Sequence, residues 1–268
     1  MKSFKDKVVV ITGAGSGIGR ALAITFSKLG AKLAINDFNE PTLLETADLA
    51  GGRENVFYRV FDVADKNSFY DFAEQVVAHY GRVDVVINNA GVVIFSLGAG
   101  EISIADYEWI LGINLWGMIY GSLAFLPHLR KQKESAIVNL SSVFGIRGVP
   151  FQAPYCTTKF AIRGFTESLA LEEELNRTGV TVTSVHPGGI KTNIARNSRY
   201  AEKYTGDVDE FEKNFRTSPE KAASVIVDGI RRKKKRILVG VDGKFIFFLS
   251  RLSPYLTGRL FMRTGKKQ

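Results

Sequence analysis

The sequence predicts an α/β chain built on a doubly wound, seven-stranded parallel sheet with helices on both faces. Three observations carry this expectation. Short strand-like runs and helical stretches alternate almost throughout the chain. The runs are continuously apolar, as in a parallel sheet covered on both sides, rather than alternating between polar and apolar. The first run opens through a glycine-rich turn into a helix, an arrangement that presents backbone N–H groups to a phosphate.

Taken in order, Lys7–Thr12 (KVVVIT) is a β-branched strand, and a helix follows the glycines as far as Leu29. Ala31–Asn36 is the second strand, Pro41–Ala50 a helix and Asn55–Phe61 the third strand. Lys66–Tyr80 has helical apolar spacing at Phe69, Phe72, Ala73, Val76, Val77 and Tyr80. Val83–Asn88 is the fourth strand, followed by helices over 103–113 and 115–131. Ala136–Leu140, a helix over 153–177, Thr181–Val185, a helix over 219–230 and a strand at Arg236–Val239 complete the pattern. Residues 1–240 read as one dinucleotide-binding and catalytic domain. Within it the polar stretch 190–218 reads as a substrate lid beyond the strands' carboxyl ends.

Composition narrows the function. The 268 residues are 45% hydrophobic and 24% charged, which suits a globular domain and not a disordered chain. A single cysteine, Cys156, excludes an internal disulfide and a Cys-rich zinc site, and three scattered histidines show no metal spacing. No metal is expected. The N-terminus lacks a signal-peptide pattern and no apolar run reaches the length of a membrane-crossing helix, so a cytoplasmic protein is expected. The net charge of +9 is uneven. Residues 231–268 hold twelve Lys/Arg against one acid, Asp242, which leaves 24 basic and 26 acidic side chains in the other 230 residues. A basic tail on a near-neutral body fits a local electrostatic contact, not a nucleic-acid reader.

The glycine turn is Thr12-Gly-Ala-Gly-Ser-Gly-Ile-Gly19. Its spacing, Gly13-x3-Gly17-x-Gly19, is related to the usual dinucleotide fingerprint but distinct from it. Asp37 closes the second strand, 20 residues after Gly17. A carboxylate there accepts from both adenosine ribose hydroxyls and repels a 2′-phosphate, and neither Ser16 nor Phe38 is a cation. NAD is therefore expected over NADP. Asp62 follows the third strand; it either accepts from the adenine amino group or caps the next helix. Tyr155 and Lys159 lie one helical turn apart, so an ammonium beside the phenol is expected to lower its pKa toward neutrality.

Asn88-Asn-Ala-Gly91 follows the fourth strand, and Asn114 lies between two helices. Ser142 lies 13 residues before Tyr155, and Pro187-Gly188 follows the sixth strand with Thr192 close behind. Over residues 5–240 this ordered set resembles the short-chain dehydrogenase/reductase family. The resemblance implies a Rossmann-type fold and an oxidoreductase passing a hydride between NAD(H) and an alcohol or ketone. It implies a catalytic set of Asn114, Ser142, Tyr155 and Lys159, with Asn114 holding a relay water. It further implies coenzyme contacts from Gly13, Ser16, Gly17, Ile18, Gly19, Asp37, Asp62, Val63, Asn89, Ala90, Gly91, Tyr155, Lys159, Pro187, Gly188, Ile190 and Thr192. A homo-oligomer, dimer or tetramer, is implied through the helices near 103–131 and 153–177. An NADP-dependent carbonyl reductase and a non-catalytic dinucleotide sensor are the alternatives.

The segment after Ser142 offers Val143, Phe144, Val149 and Phe151 as apolar walls, with Arg147 and Gln152 as polar groups, and Val92–Phe95 add to one side. Ser142, Phe144, Gln152 and Tyr155 are the expected substrate contacts, for a small, mostly apolar secondary alcohol or ketone. Cys156 is expected to be a buried inert thiol, and His186 to pack or to bond backbone. Residues 241–268 read as a basic amphipathic extension that packs on the body, on a sister subunit or on a membrane surface.

Overall fold

The computed structural model describes residues 1–95, 98–194, 198–200, 215–253, 255, 257–259 and 262. Its strands are β1 (Val8–Thr12), β2 (Lys32–Asp37), β3 (Val56–Val60), β4 (Val85–Asn88), β5 (Ile94–Phe95), β6 (Ser135–Leu140), β7 (Val180–Pro187), β8 (Arg199–Tyr200) and β9 (Arg236–Val239). Its helices are α1 (Gly17–Lys28), α2 (Glu40–Leu49), α3 (Lys66–Tyr80), α4 (Ile104–Leu111), α5 (Gly117–Leu129), α6 (Ala153–Leu175), α7 (Pro219–Arg231) and α8 (Val241–Leu252). Seven strands form one sheet in the order β3-β2-β1-β4-β6-β7-β9, and every pair is parallel. Strand order reverses beside β1, which places the ligand crevice of such a sheet between the carboxyl ends of β1 and β4.

The continuous apolar runs have the expected cause. Val9 and Ile11 of β1 join Leu22, Phe26, Leu43, Ile226 and Ile230 in one core. Val8 and Val10 face the other way, onto Phe69, Phe72, Val76, Phe125 and Leu169. With both faces covered, alternate positions have no solvent side and all are apolar. Helix starts follow local chemistry: Asn39, Asp65, Ser103 and Ser218 each accept a backbone N–H at a helix N-terminus.

Three features depart from the sequence reading. The two helices expected over 103–131 form one rod, joined by a π-helical stretch at Gly112–Trp116. That rod, Ile104–Leu129, is long and apolar enough to cross a membrane by length and composition, contrary to expectation, yet half of its apolar window is buried in the protein. The two-residue strands β5 and β8 pair in parallel, Ile94 with Arg199 and Phe95 with Tyr200. This draws the start of the expected lid over the loop after β4; residues 195–197 and 201–214 of that lid lie outside the described residues. The helix α8 fastens the C-terminal extension to the body.

Candidate active site

The glycine turn sits at the carboxyl end of β1 and explains its own composition. A Cβ on Gly13 would lie 2.8 Å from Ala90 Cα, and one on Gly19 would lie 2.1 Å from the Gly13 carbonyl oxygen. Gly13 and Gly17 have φ of 63° and 51°, which glycine adopts without steric cost. Ser16 is the N-cap of α1, yet its side chain makes no capping bond and leaves the first N–H groups of the helix uncapped. Ile18 packs on the core and anchors the turn. Arg20, which the sequence reading passed over, braces this turn: its guanidinium donates to Gly15 O at 2.7 Å and to Glu45 at 2.6 Å.

Asp37 is buried, and its two oxygens accept from Gly15 N at 2.8 Å and Asn39 N at 3.0 Å. The carboxylate is thus fixed in the floor of the turn. Asp62 is exposed and accepts from Ala64 N at 2.9 Å, while Asp65 caps α3; the capping alternative for Asp62 is corrected. Val63 buries its side chain below Gly117, where a Cβ would come within 2.8 Å. Thr12 Oγ1 accepts from Asn89 N and Ala90 N, both at 3.1 Å, which sets the loop after β4 against the glycine turn. Asn89 Nδ2 donates to the Thr12 and Gly13 carbonyls. Thr192 closes the other side, its methyl 3.0 Å from where a Gly17 Cβ would be.

The expected catalytic residues converge beyond β4 and β6. Ser142 Oγ accepts from Phe144 N at 3.1 Å, and its hydroxyl is near enough to the Tyr155 phenol to act against the rise of its pKa. Lys159 Nζ donates to Leu140 O at 3.0 Å and lies 5.3 Å from the Tyr155 ring centroid. Gly91 faces it: a Cβ there would lie 3.4 Å from Nζ and 3.3 Å from Asn114 Oδ1. Asn114 sits in the π-helical stretch, a distortion that recurs at functional sites. Its Oδ1 accepts from Val92 N, and its Nδ2 donates to Val92 O and Thr158 Oγ1. Both amide protons are therefore committed to protein acceptors, and the side chain braces the loop after β4 against α6.

Burial sets the titration of the pair. It pushes the Tyr155 phenol up to about 12, although the Ser142 hydrogen bond opposes it. It brings Lys159 down to about 8. The expected lowering of Tyr155 is thereby corrected: the ammonium is aimed at Leu140 O, and removal from water outweighs its attraction.

His186 is fully buried and shows the expected backbone role. Its Nδ1 lies 2.9 Å from Ser142 O and its Nε2 2.9 Å from Ser184 Oγ. A carbonyl only accepts, so Nδ1 carries a proton. Burial holds its pKa down to about 4. The unfolded chain therefore takes up a proton below its ordinary value that the native chain refuses. Stability is expected to fall by about 3 kcal/mol as pH drops from about 6.5 to about 4. Urea midpoints at about pH 7 and about pH 5 check this, with His186→Gln flattening the difference.

The segment after β7 is held by β9, Asp242 and Thr217. Gly188 N donates to Val239 O at 3.0 Å, Gly189 N to Asp242 Oδ2 at 2.6 Å, and Ile190 bridges to Thr217. A Cβ on Gly188 would lie 2.2 Å from the Asp242 carboxylate. Pro187 ends β7. Around Tyr155 the wall is apolar: Val93, Phe95 and Ile194 on one side, with Phe144 edge-on at 6.1 Å. Gln152, one turn before Tyr155, is buried with Oε1 lacking a hydrogen-bond partner. Arg147 lies under the extension, its guanidinium 2.4 Å from where a Gly258 Cβ would be. Cys156 is a buried free thiol.

The family model for the short chain dehydrogenases matches residues 7–203. The chain belongs to that family. This short-chain dehydrogenase is 43% identical to the oxidoreductase SadH of Mycobacterium tuberculosis over 256 residues, 94% of this chain and 92% of its relative. It is 33% identical to the oxidoreductase YxnA of Bacillus subtilis, over 97% of this chain and 72% of the other. Among solved structures it is similar to a short-chain dehydrogenase/reductase of Burkholderia phymatum in complex with NAD. That likeness has a TM-score of 0.86 at 27% identity and covers 96% and 97% of the two chains. It is also similar to a 3-ketoacyl-(acyl-carrier-protein) reductase of Brucella melitensis complexed with NADH, with a TM-score of 0.75 at 25% identity over 85% and 92%. The dehydrogenase is an oxidoreductase with the Rossmann-like fold of its family.

Proposed function

We propose that this dehydrogenase passes a hydride between NAD(H) and a small, mostly apolar secondary alcohol or ketone, with Tyr155 as the general acid and base. The observation that carries the reading is the convergence of buried Ser142 and Lys159 on Tyr155, with Lys159 Nζ 5.3 Å from the phenol ring and apolar side chains beside it. NAD fits the turn: the glycines leave no Cβ over the strand ends, the α1 N–H groups suit a pyrophosphate, and Asp37 suits ribose hydroxyls. Ser16 and Thr192 would hold the pyrophosphate, Asp62 and Val63 the adenine, and Gly91 and the Pro187–Thr192 segment the nicotinamide. When bound, NAD supplies the hydride acceptor and NADH the donor.

The chain's own residues handle the proton. In reduction, Tyr155 gives its phenol proton to the substrate oxygen as the carbonyl carbon gains its hydride. Ser142 donates to the same oxygen and steadies the charge developing there. Lys159 compensates the phenolate left behind. Because burial keeps Tyr155 protonated at neutral pH, the resting site is set for ketone reduction, and alcohol oxidation is expected to quicken with rising pH. Gln152 Oε1 supplies an acceptor for a substrate hydroxyl. Exposed Trp116 at the end of the π-helical stretch and Leu123 on α5, with Phe160, Leu171 and Leu175 on α6, support a homo-oligomer through these helices.

Fluorescence titration with NADH and with NADPH, followed by a panel of apolar ketones, tests the reading. Tight NADH binding with turnover is the expected result. NADPH preference supports a carbonyl reductase instead, and NADH binding without turnover on any ketone supports a sensor.

A further inference from the structure

The helix α8 has two opposite faces. On the inner face, a Cβ on Gly243 would come within 3.4 Å of Gly188 N and 3.5 Å of His186 O and Val143 Cγ1. Phe247 is buried there, with the guanidinium carbons of Arg236 and Arg251 5.1 and 5.7 Å from its ring centroid. On the outer face Val241, Phe245, Phe248 and Leu252 are 85, 57, 61 and 84% exposed. Spacings of four, three and four residues set them in one row along the helix. Tyr255 and Met262, further along the extension, are exposed as well. Single exposed apolar side chains are ordinary on a protein surface, whereas a continuous row marks an interaction face.

Charge identifies the occupant. Lys244 and Arg251 are exposed beside the row. Asp242 is engaged by Gly189 N; Arg232, Lys233, Lys235 and Arg236 pair with Asp228, Glu134, Glu174 and Glu167 of the body, which leaves Lys244 and Arg251 as the cations flanking the row. Pairing this face with a second copy of itself would bring cations against cations. An anionic bilayer offers apolar chains below a negative surface, which matches the row and its flanks together.

We propose that α8 docks the enzyme on an anionic phospholipid surface. The outward row enters the headgroup–acyl boundary, and Lys244, Arg251 and Arg259 meet lipid phosphates. Because the inner face of the same helix touches the Gly188–Gly189 segment, docking holds the active site about 10 Å, one helix diameter, from the bilayer. The proposal is independent of the substrate and coenzyme readings, and its test reads no turnover.

Flotation of the full chain with phosphatidylcholine vesicles, with and without about 30 mol % phosphatidylserine, provides that test. The protein is expected to float with the anionic vesicles and at least ~10-fold less with the neutral ones. The triple variant Phe245→Ser, Phe248→Ser, Leu252→Ser is expected to lose flotation by ~10-fold or more while its melting temperature and oligomeric state stay unchanged, since the three side chains point into solvent. Failure of the wild type to float with anionic vesicles overturns the proposal, as does a triple variant that floats equally well. A triple variant that dissociates the wild-type oligomer overturns it too, by showing that a second copy covers the row.

Discussion

Tyr155→Phe is expected to cut ketone reduction by about 10²–10⁴-fold while NADH affinity stays within about threefold. The ring of Tyr155 is held by apolar contacts that Phe keeps: Val93, Phe95 and Ile194 on one side, and Phe144 edge-on at 6.1 Å and 85°. The substitution removes only the phenol oxygen. The proton donor for the substrate oxygen disappears, and Ser142 alone cannot replace it, because a neutral hydroxyl donates a hydrogen bond without releasing its proton at neutral pH. Stopped assays of both directions across pH sharpen the result. In the wild type the oxidation rate is expected to climb with pH, because a buried phenol must first lose its proton. In the variant that slope is expected to vanish. Loss of NADH binding together with turnover indicates a collapsed site, and retained turnover places the acid elsewhere.

The sheet was legible in the sequence because its determinants are local and repeated. The central strands β1 and β4 are apolar runs, since both faces are covered, and Asn39, Asp65, Ser103 and Ser218 cap the helices they start. The motif positions were legible for the same reason, as Gly13, Gly17 and Gly19 are required by backbone geometry within one turn. What escaped is what depends on distant segments. The pair β5–β8 joins residues more than a hundred positions apart in two-residue strands, too short for any periodicity. Asp242 was counted as the odd acid of a basic tail, and only the fold brings it to Gly189. Arg20 looks like an exposed helix cation until Gly15, Thr46 and Glu45 surround it. The titration of Tyr155 was misjudged because sequence shows the cation one turn away but not the burial that outweighs it.

Asp37→Ala is expected to shift the ratio of NADH to NADPH affinity by roughly 100-fold toward NADPH. One contribution is the loss of charge-assisted hydrogen bonds to the ribose hydroxyls, about 1.5–3 kcal/mol, or about 10- to 100-fold. The other is relief of repulsion between the carboxylate and a 2′-phosphate, which is strong here because Asp37 is buried and held by Gly15 N and Asn39 N. Those same two bonds complicate the variant: alanine also withdraws two acceptors from the turn, and general loosening would weaken both coenzymes alike. Asp37→Asn separates the effects. It keeps the side-chain volume and one acceptor oxygen for the turn but discards the charge. If charge decides the preference, Asn shares the shift toward NADPH with a melting temperature near that of the wild type. Arg20 offers no competing site for a 2′-phosphate, because its guanidinium is engaged by Gly15 O, Thr46 and Glu45. Paired fluorescence titrations of wild type, Asp37→Ala and Asp37→Asn measure the ratio directly. An unchanged ratio in both variants makes Asp37 a clamp of the glycine turn and moves coenzyme selection to another residue.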